Sequence, residues 1–362
     1  FCDLFVVAGI LIALAVRPAP GRERLRAAAC FAGAGALVAL ALYLPVVLAA
    51  GLHDSWDLLI RYPIQDFGRY QGLPYPLHFD GPLNTGSVSG FPNDSAENLL
   101  VFYLPLALLV GLVASLVSVG LGWRRERDWA AVATAVLAIG MGHYMLVRPD
   151  VYHAAPLAVM DAVVGVWAVS AARHRRGRAH GWRVPALAAT GVVAVAALAY
   201  AVVEGADRSV RLLTDDTVAL TAPVADGVRD LPAVAGPLNA VVADVRRRVP
   251  AGDPIYVIGR RADITTSGAP LVYVLTDRPN PTRYDIAAPG VVTSAPVQRQ
   301  IIADLRRTRP KAVVRWTDPV TAAPEPNGSG RSSGVRLLDA YLAAAYRPAA
   351  RYGAWVVLVP RS

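Results

Sequence analysis

Six long apolar runs constrain this chain more than any other feature of its sequence. A run of about 20 apolar residues is long enough to cross the hydrocarbon core of a bilayer as a helix. The runs are continuous rather than alternating, which predicts membrane-spanning helices instead of strands. They are Phe1–Val16, Ala27–Gly51, Asn98–Gly122, Ala130–Val147, Ala154–Ala172 and Pro185–Val203. We therefore predict a mainly α protein that begins with a polytopic transmembrane helix bundle of about six spans.

The charge of the chain supports a membrane location better than nucleic-acid binding. The formal net charge is +9, and 54% of the residues are hydrophobic, with a mean hydropathy of +0.39. Almost all the positive charge comes from arginine, and the arginines lie in short segments between apolar runs, where charge sets membrane orientation. We predict membrane lipid as a partner and no nucleic acid. The arginine, alanine and valine excess is typical of a GC-rich bacterial genome.

The arginines are distributed unequally between alternate loops, which predicts the topology. Twelve lie in one set of short loops and three in the other. Because positively charged loops remain in the cytoplasm, we expect the loop 53–97, the turn 148–153 and the C-terminal region to face outward. The predicted location is the cell membrane, with several passes and an extracytoplasmic C-terminal domain.

The sequence also predicts where the domains divide. Residues 1–203 form the predicted transmembrane domain, which includes the outer loop 53–97. Residues 204–237 connect it to a small extracytoplasmic α/β domain, which comprises residues 238–362. In the last region short apolar runs alternate with amphipathic helical patterns, which indicates a largely parallel sheet. The expected strands are Pro254–Gly259, Leu271–Leu275, Lys311–Trp316 and Ala354–Val359, and the expected helices are Leu238–Arg248, Ala295–Arg309 and Val335–Ala345.

The stretch Arg148–His153 is the most polar segment between two apolar runs. Arg148 is a fixed charge suited to a phosphate, and His153 can transfer a proton. Asp150 can orient either of them or accept a proton, and Tyr152 adds a phenol. A second interpretation stays open: Arg148 reaches to lipid headgroups from a simple helix connection, and Asp150 caps the next helix.

Two further polar segments have open interpretations. The aromatic and charged loop 53–97 is either a belt in the headgroup layer or a lip over a lipid-substrate groove, with Arg61 and Arg69 as phosphate partners. The stretch Thr276–Asp285 follows a predicted strand, where α/β sheets tend to place ligand sites, or it is a charged loop that caps the sheet.

Common cofactor motifs are absent from the sequence. The residues after the first predicted strand, Gly259-Arg260-Arg261, lack the further glycines of a nucleotide fingerprint, and there is no P-loop, zinc signature or Gly-x-Ser-x-Gly elbow. We predict no cofactor and leave dependence on a divalent metal open. Asp161, the clear charge inside an apolar run, is predicted to face other helices, because a carboxylate facing lipid is costly.

The chain resembles the bacterial, actinobacterial-type integral-membrane glycosyltransferases of the C-type superfamily, which includes protein mannosyltransferases and aminoarabinose transferases. Three stretches carry the resemblance, which spans the whole chain. They are Arg148–His153, the outer-loop segment from Arg61-Tyr62-Pro63 through Arg69-Tyr70 to Leu73-Pro74-Tyr75-Pro76, and the tail segments Tyr273–Arg278 and Pro281–Tyr284.

The resemblance implies an enzyme that uses a polyprenyl-phosphate-linked sugar on the outer membrane face, in cell-envelope glycan synthesis. It implies that Arg148 and His153 lie near the donor phosphate. We predict Asp150 and His153 as catalytic residues and a second group as substrate-binding residues: Arg148, Tyr152, Arg61, Arg69 and Tyr70. The resemblance also implies that the main catalytic carboxylate lies upstream of Phe1, and we expect the chain to be the C-terminal part of a longer protein. The sugar and the glycan or protein acceptor stay undefined.

Two other classes of protein remain compatible with the sequence. One is a transporter or flippase of lipid-linked glycans, although such proteins tend to carry internal repeats and charges at the membrane midplane. The other is a non-catalytic membrane protein of envelope assembly whose tail binds wall polymer.

Overall fold

The computed structural model describes residues 2–17, 19–75, 102–118 and 126–174, scattered positions between 191 and 211, and residues 213–361. The chain divides into two compact units. The first consists of Phe1–Ile64 and Gly72–Ser209, and the second of Gln65–Gln71 and Val210–Ser362.

The described residues of the first unit form helices and no strands, with short turns between the helices. Its helices are α1 (Cys2–Val16), α2 (Gly21–Ala50), α3 (Leu52–Trp56), a π-helical segment (Asp57–Asp66), α5 (Leu104–Ser118), α6 (Glu126–Val147) and α7 (Val151–His174); α4 (Phe67–Gln71) belongs to the second unit. Helix α6 packs against α1 and α7, and α5 packs against both α6 and α7. Phe102, Leu109, Met145 and Leu157 are among the buried side chains that hold this group together.

Close approach between α1 and α6 depends on a small residue. A Cβ added at Gly140 would overlap the Phe5 ring, so only glycine admits this aromatic ring against the α6 backbone. Small residues that let helices approach closely are frequent in helix pairs inside membranes.

The prediction of a six-span bundle is wrong. Among the described residues, one helix, α2, is both long and apolar enough to cross a membrane. The apolar part of α6 is limited to Val132–Val147, because its first turn holds charged residues. Most of the predicted sixth span, 185–203, lies outside the described residues.

Helix α2 differs from its neighbours because it has no buried residue along its 30 positions. Its leucines are the clearest example: Leu37 is 68% exposed and Leu48 is 75% exposed. Its arginines cluster at the N-terminal end, in the first two turns. An apolar helix whose side chains all remain partly or fully exposed is suited to a lipid environment, because water would leave those side chains unfavourably solvated.

Asp161 is buried in α7, as the sequence predicts for a carboxylate that avoids lipid. Its side chain is 1% exposed. Neither carboxylate oxygen has a hydrogen-bond partner among the residues that the structure describes.

The second unit is an α/β domain. Its strands are β1 (Val218–Ala219), β2 (Arg229–Asp230), β3 (Tyr256–Ile258), β4 (Val313–Trp316), β5 (Tyr346–Tyr352) and β6 (Trp355–Pro360). Its helices are α8 (Pro232–Arg248), α9 (Leu271–Thr276), α10 (Ala295–Thr308) and α11 (Leu337–Ala345), with short 3₁₀ turns at Pro223–Ala225 and Pro319–Ala322.

The main sheet has four strands in the order β3-β4-β6-β5, and helices cover both faces. Alternate side chains of each central strand enter two different cores. In one core, Val257, Val314 and Val357 pack with α8 and α9. Tyr256, Val313 and Leu358 instead pack with α10 and α11. Burial on both faces explains why these strands are continuous apolar runs in the sequence.

The sheet is mixed rather than mainly parallel, which corrects the prediction. Strands β3 and β4 are parallel, whereas β4–β6 and β5–β6 are antiparallel. Strand β5 was not predicted, because it carries Arg347, Pro348 and Arg351 and lies at the edge of the sheet, where charges and a proline-containing bulge are tolerated. A short turn joins β5 to β6 and makes that pair antiparallel.

The predicted strand Leu271–Leu275 is also wrong, since these residues begin α9. A run of five apolar residues cannot be assigned to helix or strand by periodicity alone. Pro270 precedes the helix, and Asp277 ends it in the left-handed conformation. The other predicted helices and strands of this region occur within a few residues of their expected bounds, except that α8 begins at Pro232.

Replacing Ile301 by alanine should lower the free energy of unfolding of the second unit by about 2–5 kcal/mol. Ile301 is completely buried between α10 and the sheet, so the variant leaves a cavity. Urea unfolding followed by tryptophan fluorescence measures the change. Arg299 lies exposed on the same helix, and Arg299→Ala should change stability by less than about 0.5 kcal/mol. Equal stability of the two variants would contradict this core.

Candidate functional site

The turn between α6 and α7 is built around Asp150. Pro149 is buried and ends the preceding helix, because proline cannot continue helical hydrogen bonding. The Asp150 carbonyl accepts a hydrogen bond from the amide of Ala154 at 3.0 Å, and its Oδ1 accepts from the amide of His153 at 2.9 Å. Asp150 is therefore the N-cap of α7, as one of the two sequence interpretations expected.

Besides capping α7, the Asp150 carboxylate also binds the side chains of Arg148 and His153. Arg148 Nε donates to Asp150 Oδ2 at 2.9 Å, and His153 Nδ1 lies 2.6 Å from Asp150 Oδ1. The Asp150 side chain is 4% exposed, whereas those of Arg148 and His153 are 15% and 16% exposed. A buried carboxylate thus joins a guanidinium and an imidazole that both reach solvent.

The contact with Asp150 determines how the His153 ring is used. An ionised carboxylate only accepts hydrogen bonds, so Nδ1 carries the proton toward Asp150. In the neutral ring the other nitrogen, Nε2, then has the lone pair and can accept a proton. The Tyr144 ring lies 4.2 Å from the His153 ring, centroid to centroid, and restricts its movement.

Residues of the outer loop lie beside this turn within the first unit. The amide of Leu73 donates to the carbonyl of Val147, the last residue of α6, at 3.1 Å. Tyr75 follows and packs edge-on against Tyr103, with the ring centroids 5.2 Å apart. Burial raises the pKa of Tyr75 to about 12, and the nearby Tyr103 adds to the shift, so the phenol stays protonated at neutral pH. Tyr75 lies in one of the stretches that carry the family resemblance, but the sequence assigned no role to it.

The other predicted site residues of the first unit are not part of this arrangement. Tyr152 is 80% exposed. Arg61 is paired with Asp57 one helical turn away, through Nε to Oδ1 at 3.0 Å. The structure therefore brings together Arg148, Asp150 and His153 out of the predicted set.

Arg69 and Tyr70 belong to the second unit, where they line a cavity of about 610 Å³. The carbonyl of Arg69 accepts a hydrogen bond from the amide of Gly328 at 2.9 Å. The guanidinium of Arg69 lies 5.4 Å from the centroid of the Tyr70 ring. The sequence does not reveal this cavity, because its walls come from segments that lie far apart in the chain.

The polar stretch Thr276–Asp285 has a structural role. The buried Arg278 donates through Nε and Nη2 to the carbonyl of Val249, at 3.0 and 2.8 Å, and through Nη1 to the carbonyls of Thr276 and Asp277. Asn280 bonds to Tyr284 and Asp285 within the same stretch. The side chains of this loop therefore cap helix ends and stabilise the loop itself.

The described ranges contain no group of three or more His, Cys, Asp or Glu side chains that could hold a metal ion. Comparisons with protein-family models, with curated protein sequences and with solved structures return no match for this chain. The site must therefore be interpreted from its own geometry.

Proposed function

We propose that this protein is a membrane-bound glycosyltransferase that uses a polyprenyl-phosphate-linked sugar as its donor. The observation that carries the proposal is the buried Asp150 carboxylate, which holds an arginine and a histidine side by side at a partly open helix turn. A departing lipid phosphate needs a fixed positive charge, and an attacking hydroxyl needs a proton acceptor. The resemblance of the three quoted stretches to C-type glycosyltransferases points the same way.

Each of the three residues has a separate role in this reaction. The acceptor hydroxyl oxygen forms a bond to the anomeric carbon, while the bond from that carbon to the phosphate oxygen breaks and its electron pair leaves with the polyprenyl phosphate. His153 Nε2 takes the hydroxyl proton. Arg148 binds the phosphate as its charge develops. Asp150 does not touch substrate in this scheme; it is a positioning residue that orients both partners.

The membrane location rests on α2 in this proposal. The arginine-rich N-terminal end of α2 faces the cytoplasm by the positive-inside rule, and the second unit is extracytoplasmic. A lipid-linked donor would then diffuse in the bilayer toward the protein rather than enter from solution.

A lipid-linked glycan transporter is the second candidate, because Asp161 is a buried carboxylate among apolar helices with no partner in the described part of the chain. Ionisable groups inside membrane helices often mark transport pathways. The two functions differ in chemistry. A flippase moves the lipid without breaking the sugar–phosphate bond, so it releases no polyprenyl phosphate.

Replacing Arg148 by alanine should lower sugar transfer by about ten- to a hundredfold, because a charge-assisted contact to phosphate contributes about 1.5–3 kcal/mol. Arg148→Lys should recover part of the loss, since lysine keeps the charge without the planar fork. Transfer from the labelled lipid donor is measured in membranes and normalised to protein amount.

The matched control for this variant is Arg347→Ala. Arg347 is an exposed arginine at the edge of the sheet of the second unit. The Arg347→Ala variant should leave sugar transfer unchanged. If Arg148→Ala keeps wild-type transfer, or if Arg347→Ala loses as much, Arg148 has no part in binding the donor.

A further inference from the structure

We infer that the cavity of the second unit is a separate binding site for a phosphomonoester of a sugar or polyol. This site goes beyond the proposed transfer reaction, since none of Arg148, Asp150 and His153 lines it. The cavity of about 610 Å³ falls within the size range of small-molecule sites. The lining residues that carry the argument are Arg69, Tyr70, Thr265, Thr293, Arg331 and Ser332.

Two arginines give the cavity its charge. Arg69 and Arg331 both line it, and no ion pair of the described residues includes either of them. No carboxylate is among the lining residues. Two guanidinium groups match the charge of one phosphate monoester, which is about −1.5 to −2 at neutral pH. A ligand with a single carboxylate carries less charge and is a poorer match.

The buried Asp263, which is bonded to the Arg331 loop through Ser332, does not neutralise these arginines. Asp263 is fully buried and pairs with Arg261 through two hydrogen bonds, at 2.9 and 2.6 Å. Burial raises the pKa of Asp263, but the hydrogen bonds from Arg261 and Ser332 outweigh it and hold the pKa below its ordinary value. Asp263 therefore stays ionised at neutral pH, with its charge compensated by Arg261 rather than by Arg331.

The loop that carries Arg331 is fixed at its base. The hydroxyl of Ser332 donates to the Asp263 carboxylate, and the amide of Ser333 donates to the Asp263 carbonyl at 3.0 Å. The hydroxyl of Ser333 donates to the carbonyl of Thr293 at 2.7 Å. Because these bonds order the backbone before any ligand arrives, binding loses less conformational entropy.

The part of the cavity formed by Arg69 and Tyr70 is positioned by a tight aromatic contact. Gly290 has a φ of 79°, and a Cβ at this position would overlap the Tyr70 ring. The ring therefore lies directly on the Gly290 backbone, and Arg69 stays beside it. An aromatic ring is suited to the carbon face of a sugar, and the hydroxyls of Thr265 and Thr293 are suited to its hydroxyl groups.

Isothermal titration calorimetry with the full chain tests this site. The probes are glucose 1-phosphate and glycerol 3-phosphate, compared with glucose, glucuronate and inorganic phosphate. We expect the two phosphomonoesters to bind and glucose not to bind. Arg331→Ala and Arg69→Ala should each raise the Kd by about ten- to a hundredfold. The exposed Arg299→Ala variant should leave the Kd unchanged.

Each result decides part of the inference. Absence of binding by both phosphomonoesters, or equal loss in Arg299→Ala, would overturn the site. Equal affinity for glucuronate would overturn the phosphate assignment, and equal affinity for inorganic phosphate would overturn the sugar or polyol. Unfolding temperatures of the variants confirm that they fold. Because binding is measured without transfer, failure here leaves the proposed reaction at His153 intact, and failure of that reaction leaves this site intact.

Discussion

Replacing His153 by alanine is expected to lower sugar transfer by about 10²- to 10⁴-fold, the usual contribution of a positioned acid or base. His153 Nδ1 faces Asp150 at 2.6 Å, which leaves Nε2 to take the hydroxyl proton. Transfer from the lipid donor, measured in membranes and normalised to protein amount, checks this expectation.

His153→Asn separates catalysis from structure. The asparagine amide can still donate to Asp150 and keep the start of α7 intact, but it cannot accept a proton at neutral pH. We expect this variant to be as inactive as the alanine variant and close to the native protein in stability. Substantial transfer by His153→Asn would show that the histidine only supports the turn.

Replacing Arg278 by methionine should lower the free energy of unfolding by about 3 kcal/mol or more. Arg278 is 7% exposed, and its guanidinium satisfies the carbonyls of Val249, Thr276 and Asp277. Each buried acceptor left without a partner costs about 1–3 kcal/mol. Methionine keeps the apolar stem but satisfies none of them. Urea unfolding of the full chain, followed through the transition of the second unit, measures the loss.

Arg278→Lys provides the matched comparison. Lysine keeps the charge, but a single ammonium cannot reproduce the planar arrangement that binds three carbonyls at once. Its stability should lie between the native protein and Arg278→Met. If Arg278→Met is as stable as the native protein, these hydrogen bonds contribute little, and the ligand-loop interpretation of Thr276–Asp285 regains support.

The sequence predicted the elements whose signals are local. Helix α10 has a strong amphipathic pattern, and strands β3, β4 and β6 are continuous apolar runs because both of their faces are buried. The prediction was wrong where the signal was ambiguous or weak. Leu271–Leu275 is too short for periodicity to assign, and β5 is an edge strand with charges and a proline.

The number of spans was overestimated for a related reason. Apolar composition marks a run that can be buried, but it does not define where a helix begins and ends. Helix α6, for example, begins with charged residues, which leaves Val132–Val147 as its apolar part. Run length alone therefore overstated how many helices could reach across a bilayer.

The candidate site could be found from the sequence because its parts are neighbours in the chain. Arg148, Asp150 and His153 lie within six residues, so one helix turn is enough to bring them together. The cavity of the second unit is different. Arg69 and Arg331 line one cavity only after the chain has folded, and no local pattern predicts that two residues so far apart share a site.

The most direct measurement of the proposed function is release of polyprenyl phosphate from a polyprenyl-phosphate sugar by the purified full-length protein. Hexose- and pentose-bearing donors are tested, each with the native protein and with His153→Asn. The account predicts release by the native protein from at least one donor, with a loss of about 10²-fold or more in the variant. No release from any donor, or equal release by the two proteins, would contradict it.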